Sequence, residues 1–198
     1  STLLLLDSRQ TGISLPIIAI SLRSNGRIAC MGHLKMLNRT FFNSADNANI
    51  IHNLFLWLNG HQSINEPINF INFPPTSMNE IRSCLAPHGI HVQFDDFTPE
   101  LSNSKFIIIT SNFDVNDDEK RKVLNAILLK GGGIGCFYVQ PPNGSPIIPI
   151  NKFLIKAGLS FASCALSDDY GMSRSVTIRE KLEESRKSSF YSLVDSFD

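Results

Sequence analysis

Four cysteines and five histidines are the side chains of this 198-residue chain with the most scope for chemistry. Cys30, Cys84, Cys136 and Cys164 stand far apart, and Cys30 and Cys136 lie inside apolar runs. Zinc sites use paired short spacings, which are missing here, so free buried thiols in a reducing compartment are expected. A cysteine nucleophile needs a histidine base held by a carboxylate. His33, His52, His61, His88 and His91 belong to no such pattern, and no H-E-x-x-H zinc motif occurs. The acidic runs Asp95-Asp96 and Asp117-Asp118-Glu119 read as loop and helix-start charges, not as metal ligands. The expectation is no catalytic residue, no metal and no cofactor.

The stretch "LLKGGGIGCFYVQPP" (128–142) tests that expectation. A phosphate loop needs glycines after a strand and before a helix, followed by Lys and Ser or Thr. Here Gly131, Gly132 and Gly133 follow a helix and precede a strand, next to a helix end that repels anions. Gly131 reads as a left-handed cap, and Gly132 and Gly133 as a tight turn into the sheet. Class I glutamine amidotransferases run helix, Gly-Gly turn and strand, then a nucleophilic cysteine on a strained elbow between small residues. That cysteine stands about five residues after the last glycine of the turn, a place filled here by Tyr138. Cys136 comes two residues early and is followed by Phe137, and Pro141 and Pro142 oppose a helix start directly after it.

The elements that must position these residues follow from hydrophobic period. "LPIIAISLRSNGRIACMGHL" reads as two strands, Ile17 to Leu22 and Arg27 to Gly32, around an Asn25-Gly26 turn. Ile50, Ile51, Leu54, Phe55 and Leu58 form one helical stripe with Trp57 beside it, and Gly60 stops the helix. A short strand in "INFINF" precedes a helix with Ser77 as its cap, Glu80 at capping-box spacing, and Ile81, Cys84 and Leu85 inward. "IHVQF" alternates as a strand, and "KFIIITSN" is apolar enough for a strand buried on both faces. The next helix starts acidic and ends basic, with Val123, Leu124, Ile127 and Leu128 inward. "IGCFYV" is a strand, and "NKFLIKAGLSFA" is a short helix, a glycine stop and a further strand.

Strand–helix alternation from about 68 to 164 predicts an α/β fold: a flavodoxin-like, mostly parallel sheet flanked by helices. Residues 1–60 add two strands and a helix. After "SDDYG" the chain turns charged and helical, so the expected division is an α/β domain over 1–166 and a tail or linker over 167–198. Lysine plus arginine equals aspartate plus glutamate, 18 against 18. That balance argues against nucleic acid and anionic membranes as partners. No apolar run reaches the roughly 18 residues of a membrane span, and "STLLLLD" is too short for a signal segment. The start at Ser1, without methionine, suggests processing or a piece of a longer protein.

"IIAISLRSNGRIACMGHLKML…NIIHNLFLWL" resembles a pattern of noncatalytic class I glutamine-amidotransferase-like domains: a strand, a Gly-Arg turn, a strand ending in Gly-His, then N…N-x-x-x-W-L. The matching positions are Gly26, Arg27, Gly32, His33, Asn49, Asn53, Trp57 and Leu58. The later strand, helix, Gly131-Gly132-Gly133 and strand resemble the same domains. The order of the two parts is closest to the N-terminal region of the TRP-channel-associated factor (TCAF) and enhancin-like peptidase family. A more distant likeness is to a domain of an intraflagellar transport subunit. The resemblance covers about residues 15 to 164. It implies an amidotransferase-like fold and a scaffold in a larger intracellular assembly, in a cytoplasmic, cytoskeletal or ciliary (axonemal) setting with other proteins as partners. The family's peptidase region and its zinc motif do not occur in this sequence, so peptidase activity is not carried over.

His33, Thr110, Ser111, Asn112 and Tyr138 are the residues expected to line a vestigial pocket at the sheet edge. Two rival readings stand beside the scaffold. One is a divergent cysteine hydrolase or amidotransferase using Cys136 or Cys30. The other is a small-molecule sensor at that sheet edge.

Overall fold

The computed structural model describes residues 2–8, 13–43, 46–139 and 147–161. Seven strands form one sheet: β1 (Thr2–Ser8), β2 (Ile13–Arg23), β3 (Gly26–Met31), β4 (Ile68–Ile71), β5 (Val92–Asp95), β6 (Phe106–Thr110) and β7 (Gly133–Phe137). The helices are α1 (Arg39–Phe42), α2 (Asn47–Leu58), α3 (Pro75–Leu85), α4 (Asp118–Leu129) and α5 (Asn151–Leu154), with short 3₁₀ turns between elements. The strand order is β1-β2-β3-β7-β6-β4-β5. β1, β2 and β3 pair antiparallel, and β3, β7, β6, β4 and β5 pair parallel. The chain is therefore an α/β protein with a mostly parallel sheet flanked by helices, as the alternation predicts. The described residues make one compact unit. The expected tail, 167–198, lies outside the described residues.

The order β5-β4-β6-β7 repeats the 2-1-3-4 start of a doubly wound flavodoxin-like sheet. The place of a fifth parallel strand is taken by β3, from the amino-terminal hairpin. That explains one difference from expectation. The segment after Gly158 forms no strand among residues 159–161, because β3 already fills the slot beside β7.

Both faces of the sheet are covered. Ile28, Cys30, Ile107, Ile109, Ile134 and Cys136 share one face with the inward side of α4 (Val123, Leu124, Ile127, Leu128) and with Phe153 and Leu154 of α5. On the opposite face Phe55 of α2 meets Phe70 and Phe106, with ring centres 6.4 and 6.3 Å away. β6 and β7 are buried along their whole length, as strands covered on both sides should be.

Local chemistry sets the boundaries. Asp117 caps α4, its carboxylate accepting from the Glu119 and Lys120 N–H groups. The hairpin differs from expectation by one residue. Ser24 and Asn25 form the loop, Ser24 carries the positive φ of 55°, and Arg23 pairs with Gly26. Gly26 is thus a strand residue, required by close packing instead of by φ. A Cβ there would meet the Leu128 Cα at 2.5 Å and the Gly132 carbonyl at 2.7 Å. α3 also starts earlier than expected, because Pro75 at its first turn has the φ a helix needs. No capping box forms: the Ser77 hydroxyl donates to the Pro74 carbonyl, and Glu80 accepts from the Arg39 N–H.

Candidate functional site

Most residues that carry the family resemblance meet at the amino end of the parallel strands. Arg27 N–H donates to the Gly132 carbonyl, and its guanidinium to the Gly131 carbonyl at 3.2 Å. The same guanidinium passes beside Gly60, so one side chain ties β3 to the ends of α4 and α2. Gly131 adopts φ +84°, the left-handed cap expected of it. A Cβ on Gly132 would meet the Lys105 carbonyl at 2.5 Å, and one on Gly133 would press on the Leu58 backbone. Trp57 is buried near the end of α2, whereas Asn53 on the same helix is exposed. Gly32 lies at the other end of β3, exposed in the bend that leads to His33. Open α/β sheets bind ligands at the carboxyl ends of their strands. The amino-end cluster is therefore a packing device, and function is to be sought at the opposite edge.

Cys136 lies inside β7, where its Cα partners are Cys30 of β3 and Ile109 of β6. It is fully buried on the α4 face. Burial first, and the neighbouring Cys30 thiol second, push its pKa well above the ordinary thiol value. Burial pushes Cys30 up to about 12. Nucleophilic cysteines need the reverse shift and partial exposure. Tyr138, in the place of an elbow nucleophile, continues the sheet. Its N–H donates to the Met31 carbonyl, and its carbonyl accepts from Leu34 N–H. It is not among the positive-φ residues, so the strained elbow is not formed there. Pro141 and Pro142 lie outside the described residues.

The carboxyl ends of β3, β7 and β6 bring His33, Tyr138 and Ser111 onto one edge. β3 leads to α1 and α2 on one face and β7 leads to α5 on the other, so their junction is a topological switch point. The His33 and Ser111 side chains there bond nearby backbone groups. His33 Nδ1 accepts from Lys35 N–H at 2.9 Å and caps the 3₁₀ turn Leu34–Leu37. The Ser111 hydroxyl donates to the Val139 carbonyl at 3.0 Å and accepts from Val139 N–H at 2.9 Å, clamping β6 to the exit of β7. Thr110 is buried at the end of β6. Asn112 Oδ1 is the exception, a buried side-chain oxygen without a hydrogen-bond partner among the described residues.

Of the five expected pocket residues, His33 borders a cleft that the other four do not line. A cleft of ≈240 Å³ opens beside His33, between Leu34, Leu37, Ile81, Glu80 and Val139. Tyr138 turns to the other face, its ring 6.2 Å from His33 and 5.8 Å from Phe161, against the α4 core. The sequence reading missed the contributions of α3 and Val139. A helix start facing a strand end is a long-range fact that local period does not carry. Among the described residues, no group of three or more His, Cys, Asp or Glu could hold a metal ion.

No family model matches the chain, and no curated protein matches it. A solved structure that it resembles is that of IMPa from Pseudomonas aeruginosa in complex with an O-glycopeptide. The match has a TM-score of 0.47 and 16% identity, and covers 63% of this chain and 14% of that one. The chain thus corresponds to a small part of that protein's length, and a likeness at this level carries no functional argument.

Proposed function

We propose that this chain is a noncatalytic protein–protein interaction module, a scaffold part of a larger assembly. The observation that carries the reading is the carboxyl edge, where His33 and Ser111 spend their side-chain hydrogen bonds on nearby backbone. Side chains that an amidotransferase-like site would turn towards a substrate are bonded to the chain itself, His33 to Lys35 N–H and Ser111 to Val139, and the Tyr138 backbone is held in the sheet by Met31 and Leu34. Two buried thiols with raised pKa support the same reading against a cysteine hydrolase. The balanced charge favours a protein partner over nucleic acid. No helix among the described residues is long and apolar enough to cross a membrane. The TCAF-like resemblance, with its cytoskeletal or ciliary setting, belongs to this proposal as family analogy.

Thiol labelling tests it. In the folded chain at neutral pH, iodoacetamide should modify Cys136 and Cys30 at least roughly 100-fold more slowly than in the unfolded chain, since access requires opening of the sheet. Rapid labelling of folded Cys136 would sink the noncatalytic reading.

A further inference from the structure

The interaction reading leads to a particular surface. β5 ends the sheet on the side away from the hairpin, so one of its edges has no strand partner among the described residues. The ladder to β4 fixes which backbone groups lie there. Ile68 N–H donates to the His91 carbonyl, and Asn72 N–H to the Asp95 carbonyl. His91 and Asp95 therefore turn their carbonyls towards β4. Successive residues of a strand point their backbone groups to opposite sides. Val92 and Phe94 thus present N–H and C=O outward, in the spacing that an added strand would use.

Charge picks out one kind of occupant. A groove of ≈540 Å³ runs between the exposed flank of α3 (Asn79, Arg82, Ser83) and the start of β5 (Ile90, His91, Val92). Arg82 is exposed, and its guanidinium lies 5.1 Å from the centre of the Phe94 ring, so its charge stands beside the strand within reach of an added one. Among the described residues it has no carboxylate ion-pair partner, the ion pair there being Arg121–Asp118. Exposed His91 lines the same groove. The other side of β5 carries one carboxylate, Asp95, whose Oδ1 accepts from Gln93 Nε2 at 3.0 Å. The two sides of the strand thus ask for different residues at successive positions of whatever pairs with it.

We propose that the free edge of β5 docks an extended segment of a partner protein as an added strand, with an acidic side chain of that segment set against Arg82. This proposal rests on the interaction reading and names its surface. Main-chain bonds to Val92 and Phe94 give affinity, and Arg82 gives selectivity.

Selection of a random peptide library, displayed on phage, against the folded chain tests it. The enriched peptides should share an acidic residue among β-branched neighbours. Hydrogen exchange of the complex should slow at the Val92 and Phe94 amides at least roughly tenfold, with little change at Gln93, which faces β4. Arg82→Glu should switch the enriched residue from acidic to basic. Val92→Pro removes one outward N–H without touching the β4 ladder and should weaken binding roughly fivefold to tenfold. Failure to enrich, enrichment indifferent to Arg82→Glu, or dimerisation of the chain through β5 would each overturn the proposal. Peptides that protect another surface would also overturn it while leaving the interaction reading in place. That reading fails separately, on rapid labelling of Cys136.

Discussion

His33 shows how a residue with catalytic potential becomes structural. Its Nδ1 can accept from Lys35 N–H only while that nitrogen is unprotonated. Burial, and then the Lys35 charge, lower its pKa from the ordinary 6.5. The sign follows from linkage. Below about pH 6.5 the unfolded chain binds a proton that the folded chain resists, so unfolding gains. The contribution of His33 is complete above that pH and is lost as pH falls towards the folded pKa. The urea midpoint should therefore drop between about pH 7 and pH 5. His33→Asn keeps a capping acceptor but does not titrate, and should flatten that part of the profile. An unchanged profile would assign the pH dependence to other groups. Ser111 makes the same point without charge, since its hydroxyl is both donor and acceptor to Val139. Neither role is visible in the sequence, because each depends on which backbone group folding brings near.

The element scale is governed by how closely α2 and α4 approach β7. Glycines permit this at two levels of stringency. At Gly133 a Cβ would press on Leu58 backbone, which cannot rotate away, whereas at Gly135 it would meet the ends of the Ile108, Leu58 and Met31 side chains. Gly133→Ala should cost about 2–3 kcal/mol and Gly135→Ala about 1 kcal/mol, measured by urea denaturation. Equal costs would show that the Leu58 turn yields as easily as a side chain. The sequence carried the buried stripes well: Leu54, Phe55 and Leu58 in α2 and Val123, Leu124, Ile127 and Leu128 in α4 face inward as their period requires. It carried the ends of elements less well. β1 was not recognisable in "STLLLLD", because an edge strand is defined by its partner β2, and the single-turn α1 is too short to show a period. Gly26 had the right identity and the wrong reason, since close packing on Leu128 leaves no mark in the local sequence.

At the scale of the molecule, α2 and α4 lie on opposite faces of one sheet, and both pack at β3 and β7. The two faces should therefore melt together. The chain has a single tryptophan, Trp57, buried on α2, so its fluorescence reports one face while far-ultraviolet circular dichroism reports all helices. The two urea midpoints should coincide, and a fluorescence transition that precedes the other would show that the α2 face opens first. Strand–helix alternation was enough to give the fold class. It was not enough to give the strand order, because β3 takes a slot that a later strand would ordinarily fill. That insertion has a temporal consequence. Arg27 of β3 registers against Gly133 of β7, about a hundred residues further along. At ribosomal speeds of ~5–20 residues per second, β3 waits on the order of ten seconds for that neighbour to be made. During synthesis the hairpin therefore shows an unfilled edge, and the nascent chain is in greatest need of protection before its own middle strand exists.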